Sequence, residues 1–168
     1  MIMTTVNLID EFDAHIQSMV GKLCWSVQIS GIGSLANIHI GEKVERSQPM
    51  LHQDFKLAMD ERAYVGEYVL YLEECPWRLD GPDHVIASWM DSSEHGGRIH
   101  GGLTELMNRQ VQNTVLLRPG LDLGLEFAGG YILRVFPDQI DPEEGDNYSL
   151  TVNDLTYVVA AKSTLYLD

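Results

Sequence analysis

Residues 111–136 read VQNTVLLRPGLDLGLEFAGGYILRVF. Leu121, Leu123, Leu125 and Phe127 recur at every second position, and their alternates Asp122, Gly124 and Glu126 are acidic or small. That period is a strand with one buried and one wet face. Pro119-Gly120 stands before it and Gly129-Gly130 after it, and such pairs close tight turns. Val111–Leu117 and Tyr131–Phe136 therefore become its antiparallel neighbours, since a parallel crossover needs about a dozen residues. Leu123, Leu125, Phe127, Ile132, Val135 and Trp77 are expected to share one core.

The same pattern extends outward. Leu23, Trp25, Val27 and Ile29 alternate with Lys22, Ser26, Gln28 and Ser30; Gly31–Ser34 turns the chain and Asn37–Ile40 returns it as a hairpin. Glu67–Glu73 is apolar on both faces and reads as a central strand, which Pro76–Leu79 continues past a bend before His84–Trp89 comes back. Tyr148–Val152 and an interrupted Thr156–Leu167 complete the strands. Residues 7–20 place Leu8, Ile9, Phe12, Ile16, Met19 and Val20 on one helical face, with Asn7 as the cap and Gly21 as the stop. A second helix is expected at Leu103–Gln110, and a short one near 51–60 fits the polar stretch that Pro49 breaks. The fold class is α+β: a mostly antiparallel β-sheet with two short helices.

One domain, 1–168, accommodates this length. Residues 1–95 and 96–168 share an order of elements. GIGSLANIHIG at 31–41 resembles RPGLDLGLEFAG at 118–129, and GEYVLYL at 66–72 resembles GDNYSLTV at 145–152. An internal duplication and a mere likeness of strands and turns both stay open.

The 11 basic against 25 acidic residues give a net charge of −14, the opposite of a nucleic-acid footprint and unfavourable at anionic membranes. No apolar run approaches the roughly 20 residues of a membrane helix, and MIMTTVNLIDEFDAH lacks the features of a signal peptide. Cys24 and Cys75 both stand in strand-like runs and read as buried thiols of a cytoplasmic protein.

Three constellations could carry function. Asp91, Glu94, His95 and His100, with His84 before them, offer metal-ligand chemistry, but in a Gly- and Ser-rich stretch, Asp91–Gly102, that also reads as a solvated connector. Asp138, Asp141, Glu143, Glu144 and Asp146 form an acidic run without the spacing of a calcium loop, either a solvated loop or a docking patch for a basic partner. Cys75-Pro76-Trp77-Arg78 joins a rigid bend to two residue types that often anchor interfaces. There Trp77 fills a core and Arg78 pairs with a carboxylate across the sheet, or Trp77 and Trp89 line a pocket. No nucleophile elbow, phosphate loop or dinucleotide motif is present.

The run EYVLYLEECPWRLDGPDHVIASWMD at 67–91 resembles a signature of a family of small bacterial proteins, in which a strand ends in Cys-Pro-Trp-Arg before a turn, an apolar strand and an Asp. RPGLDLGLEFAGGYILRVFPD at 118–138, followed by Asp146-Asn147-Tyr148, is similar to the second half of the same proteins. The family brings no catalytic set, and some proteins with such hairpins resemble immunity proteins of toxin systems. Where the family strand often carries a histidine, this chain has Tyr71.

The expected function is therefore non-enzymatic, immunity-like protein binding. Its binding residues are Trp77, Arg78, Trp89, Asp141, Glu143 and Glu144, and its partner is basic; no catalytic residue, metal or cofactor is assigned. A homodimer stays open. The alternative is a small-molecule binder or metal-assisted hydrolase built on the mid-chain His/acid loop. Folding should need no metal: EDTA should leave the melting temperature unchanged, and a fall of tens of degrees would reveal a structural ion.

Overall fold

The computed structural model describes residues 5–30, 33–48 and 58–168. The helix expected near 51–60 lies mostly outside them. In chain order the elements are α1 (Thr5–Ser18), β1 (Cys24–Ile29), β2 (Ala36–Glu45), α2 (Met59–Ala63), β3 (Tyr64–Leu72), β4 (Trp77–Asp80), β5 (Val85–Ser88), α3 (Arg98–Leu103), β6 (Val111–Leu117), β7 (Asp122–Phe127), β8 (Tyr131–Val135), β9 (Tyr148–Val152), β10 (Leu155–Val159) and β11 (Leu165–Leu167). They form two sheets, of order β1-β2-β3-β9-β10-β11 and β5-β4-β8-β7-β6. All described strand pairs are antiparallel. The fold is α+β and mostly antiparallel sheet.

Each sheet draws strands from both sides of residue 95, so neither half of the chain closes a sheet alone. The look-alike segments 66–72 and 145–152 are hydrogen-bonded neighbours, with Tyr68 opposite Val152 and Leu72 opposite Tyr148. One apolar cluster joins the inner faces of both sheets to Phe12 and Ile16 of α1, to Met19 just after it, and to Ile99 and Leu103 of α3. The Phe12 ring lies 5.6 Å from that of Tyr157 and 6.4 Å from that of Tyr148, and the Tyr157 hydroxyl donates to the Glu11 carboxylate. No helix among the described residues is long and apolar enough to cross a membrane.

The β6–β7–β8 meander forms as its alternation dictates. Leu123, Leu125 and Phe127 are buried while Asp122, Gly124 and Glu126 face outward. Ile132 departs from the expected core. It lies on the outer face, and Leu133 and Val135 point inward instead. The reason is parity: Ile132 and Val135 are three residues apart and cannot share a face of one strand.

Several boundaries also shift. α1 already includes Thr5, so Asn7 lies inside it rather than capping it, and the helix ends at Ser18, leaving Val20 exposed. In β1 the register with β2 slips between Cys24 and Ser26, a bulge at Trp25. Cys24 and Val27 therefore both face the core while Leu23 is exposed, against the simple alternation. Cys75 sits in the connection between β3 and β4 rather than in a strand; both cysteines are buried and free. The helix expected at Leu103–Gln110 begins earlier, at Arg98, and Leu103 is its last residue before a 3-10 turn over Thr104–Leu106. The Gly101-Gly102 pair disguises it. Gly102 is required because a Cβ there would stand 2.7 Å from the Cβ of Ala87.

Phe127→Ala should cost about 3–5 kcal/mol, the range for a fully buried aromatic. Ile132→Ala on the outer face should cost roughly 1 kcal/mol or less. Urea unfolding of the two variants checks the register, and equal losses would overturn it.

Candidate functional site

The chain passes directly between the two sheets twice: through 73–76, from β3 to β4, and through 136–147, from β8 to β9. These crossings run side by side. The Glu73 N–H donates to the Asn147 carbonyl (3.1 Å), the Glu74 N–H to that of Asp146 (3.0 Å), and the Phe136 N–H to that of Pro76 (2.9 Å). Asn147, fully buried, fastens them further. Its side-chain oxygen accepts from the Gln139 N–H (3.0 Å) and its amide donates to the Ala160 carbonyl (3.0 Å). Gly145, at φ +98°, brings the acidic loop so near that a Cβ would lie 3.2 Å from the Cγ of Glu74. Asp141 caps the 3-10 turn Pro142–Glu144, its carboxylate accepting from the Glu143 N–H at 2.9 Å.

A pocket of about 390 Å³ opens at this junction, walled by Glu73, Glu74, Cys75 and Pro76, by Asp138 and Gln139, by Trp89, and by Ser34 and Leu35 of the β1–β2 turn. The two tryptophans sit together at the end of the β4–β5 hairpin, where the Trp89 N–H donates to the Trp77 carbonyl (3.0 Å). Trp77 turns inward, fully buried, and its indole N–H donates to the Ser34 carbonyl (3.4 Å), holding the turn that forms the wall. Trp89 turns outward and is 42% exposed.

The site is strongly electronegative. Burial raises the Glu73 carboxyl above its ordinary range, and the Asp146 and Glu74 carboxylates push it further. Burial also lifts the Cys75 thiol, helped by Asp138, to about 12, so it stays protonated at neutral pH and is no nucleophile. Among the described residues, no ion pair involves Glu73, Glu74, Asp138, Asp141, Glu143, Glu144 or Asp146. An aromatic face beside unpaired carboxylates is chemistry for an ammonium or guanidinium group.

The structure thus brings Trp89 and the acidic loop carrying Asp141, Glu143 and Glu144 to one junction, with Trp77 behind its wall. Arg78 lies elsewhere, on the outer face of the five-stranded sheet. Its expected carboxylate across the sheet is instead two residues along its own strand: Arg78 Nε lies 2.7 Å from Asp80 Oδ1. Directly opposite Arg78 stands Arg134, whose Nε also bonds Asp80, at 2.9 Å. Two guanidiniums facing each other need a shared anion, and Asp80 supplies it; its carboxyl is held below the usual range by Arg78 first and then by Arg134. The depression of about 230 Å³ beside Arg134 therefore contains a cation that is already compensated.

The mid-chain histidines do not assemble a centre. The His95 and His100 rings meet edge-on at 4.7 Å, but His84 is exposed on β5's approach and Asp91 accepts the Ser88 N–H at 2.8 Å. Among the described residues no three His, Cys, Asp or Glu side chains are placed to hold a metal ion. The sequence reading missed Glu73 and Glu74 as site residues. Their signal was two adjacent carboxylates ahead of a Cys-Pro bend, which reads equally well as the wet end of a strand.

A carboxyl held above its unfolded pKa binds its proton more tightly when folded, so ionising it costs stability. The cost appears as pH rises through the ordinary carboxylate range and is complete above the folded pKa. Glu73→Gln should therefore be more stable than wild type at neutral pH, by less than about 1 kcal/mol because the group is half-buried and screened. The gain should vanish in acid. Urea unfolding at about pH 7 and about pH 3 reads both; a variant no more stable at neutral pH would contradict this account.

With the site in place, the comparisons with known proteins add no relative: no family model, curated protein or solved structure matches the chain.

Proposed function

We propose that this protein is a non-enzymatic binding protein, immunity-like in character, that docks a basic protein partner at the junction of its two sheets. One observation carries the reading: unpaired carboxylates converge on a pocket with an aromatic wall. A partner Lys or Arg side chain would enter between Trp89 and the carboxylates of Glu73, Glu74 and Asp138. Asp141, Glu143 and Glu144, all exposed, would act from the rim. The net charge of −14 adds long-range attraction, which raises the encounter rate more than the lifetime of the complex. A cytoplasmic location belongs to the same proposal, in keeping with two free, buried thiols.

The test is capture of the partner from lysate of the source organism, followed by binding kinetics. Association should slow steeply with salt, because the Debye length falls from about 10 Å at 0.1 M to about 3 Å at 1 M. Asp141→Asn, Glu143→Gln and Glu144→Gln together should lower the on-rate with little change in the off-rate. Trp89→Ala should raise the off-rate about tenfold or more, as for an interface anchor. An acidic partner, or association indifferent to salt, would overturn the proposal.

A further inference from the structure

Among the described residues, the buried side-chain nitrogens and oxygens without a hydrogen-bond partner are Trp25 Nε1, Gln28 Nε2, His39 Nε2, Arg46 Nε and Arg62 Nε. They come from one region. Trp25 and Gln28 belong to β1 and His39 to β2, Arg46 directly follows β2, and Arg62 lies in α2. Buried polar groups are ordinarily paired, so this many unmet ones in one place call for a cause.

The chain path gathers them. The β2–β3 register slips between Ile40 and Lys43, and the hairpin end beyond that slip brings α2 against β1. There Ser26 Oγ donates to the Glu61 carboxylate (3.1 Å) and Arg46 Nη2 to the Glu61 carbonyl (3.1 Å), while Lys43 Nζ stands 5.1 Å from the centre of the Trp25 ring. Ser26 is opposite His39 in the ladder, and the Trp25 and His39 rings lie 5.4 Å apart. His39 is 2% exposed, and its Nδ1 accepts the Gly66 N–H at 3.0 Å. Burial, and then the Arg46 charge, lower its pKa to about 4, so at neutral pH the ring is uncharged and its proton sits on Nε2.

Every unmet atom is therefore a donor, and a ligand that satisfies them must supply acceptors. Two of the donors are guanidiniums. Arg78, Arg98, Arg109, Arg118 and Arg134 each pair with a carboxylate. Among the described residues Arg46 and Arg62 pair with none, and Arg62 Nη2 donates to the Met59 sulfur (3.5 Å), a weak acceptor. Lys43 and Asp60 cancel each other at 2.7 Å, and the Glu61 carboxylate offsets one guanidinium. A positive surplus thus remains here in a chain of net charge −14.

We propose that the space between β1, β2 and α2 is a binding site for a phosphate group, held by the Arg46 and Arg62 guanidiniums, the Trp25 indole, the Gln28 amide and the His39 imidazole. A phosphomonoester presents three strong acceptor oxygens at close to two negative charges, which suits more donors than the two oxygens of a carboxylate can. The site shares no residue with the acidic junction, so the two readings stand or fall separately.

The probes are inorganic phosphate, phenyl phosphate and acetate, titrated at constant ionic strength against chloride into ¹⁵N-labelled protein. The chain has three tryptophans and hence three indole N–H signals. Phosphate should shift the Trp25 signal, identified by its loss in Trp25→Phe, along a saturable one-site curve and leave that of Trp89 in place. Arg46→Gln with Arg62→Gln should weaken phosphate at least about tenfold with an unchanged circular dichroism spectrum, and Arg98→Gln, at an exposed pair elsewhere, should not. Phenyl phosphate bound more tightly than inorganic phosphate identifies a phosphorylated small molecule as the source; equal affinity identifies free phosphate. The wild-type titration needs no variant: absence of saturable binding by both phosphates, or binding that leaves the Trp25 indole unmoved, would overturn the inference. So would phosphate affinity that survives the double glutamine variant, or acetate bound as tightly as phosphate.

Discussion

The architecture depends on the hydrogen bonding between the two strand-to-strand crossings that link the sheets. A chain that leaves one sheet for another exposes backbone donors and acceptors at the transfer, and those buried there must find partners. Here the crossings satisfy each other, through Glu73 and Glu74 on one side and Asp146 and Asn147 on the other. Asn147 is the fixed point. It is fully buried, and its backbone and side chain together bond Glu73, Gln139, Val159 and Ala160. Removing a buried amide with so many partners strands several polar groups at once, each at a cost of about 1–3 kcal/mol.

That same fastening creates the electrostatic character of the molecule. Backbone bonds force the acidic loop against the two carboxylates that follow β3, so Glu73, Glu74, Asp138 and Asp146 share a small volume. Like charges held together by the backbone oppose folding at neutral pH. Such an arrangement is common where a site is kept ready for a ligand of opposite charge, and the cost falls on stability. Elsewhere the protein neutralises its charges locally, as with Arg78, Arg134 and Asp80 or Arg118, Asp10 and Asp13. The contrast between the compensated outer face and the uncompensated junction separates a structural charge cluster from a candidate binding site.

Packing of the remaining surface follows from how the sheet edges are finished. Short strands, backbone contacts from 108–109 and the packed α3 protect most edges. Along β6 the covering element is α1, which packs against it and is tied to its end by Arg118 through Asp10 and Asp13.

What the sequence by itself determined is whatever depends on neighbours a few residues apart. The stripe Leu121–Phe127, the turns at Pro119-Gly120 and Gly129-Gly130, and the apolar face of α1 are local signals, and local sterics and burial suffice to make them strands, hairpins and a helix. The failures are also local in cause. A bulge at Trp25 inverts an alternation, a glycine pair hides α3, and parity places Ile132 outside while Trp77 is inside. The site lay beyond such reading. Glu73 and Asp146 are far apart along the chain, and nothing in either neighbourhood specifies the other. Only the order of strands, with β9 laid against β3, brings the two carboxylates together. That order is decided by burial of the whole apolar cluster between the sheets, a property of the assembled fold and of no single segment.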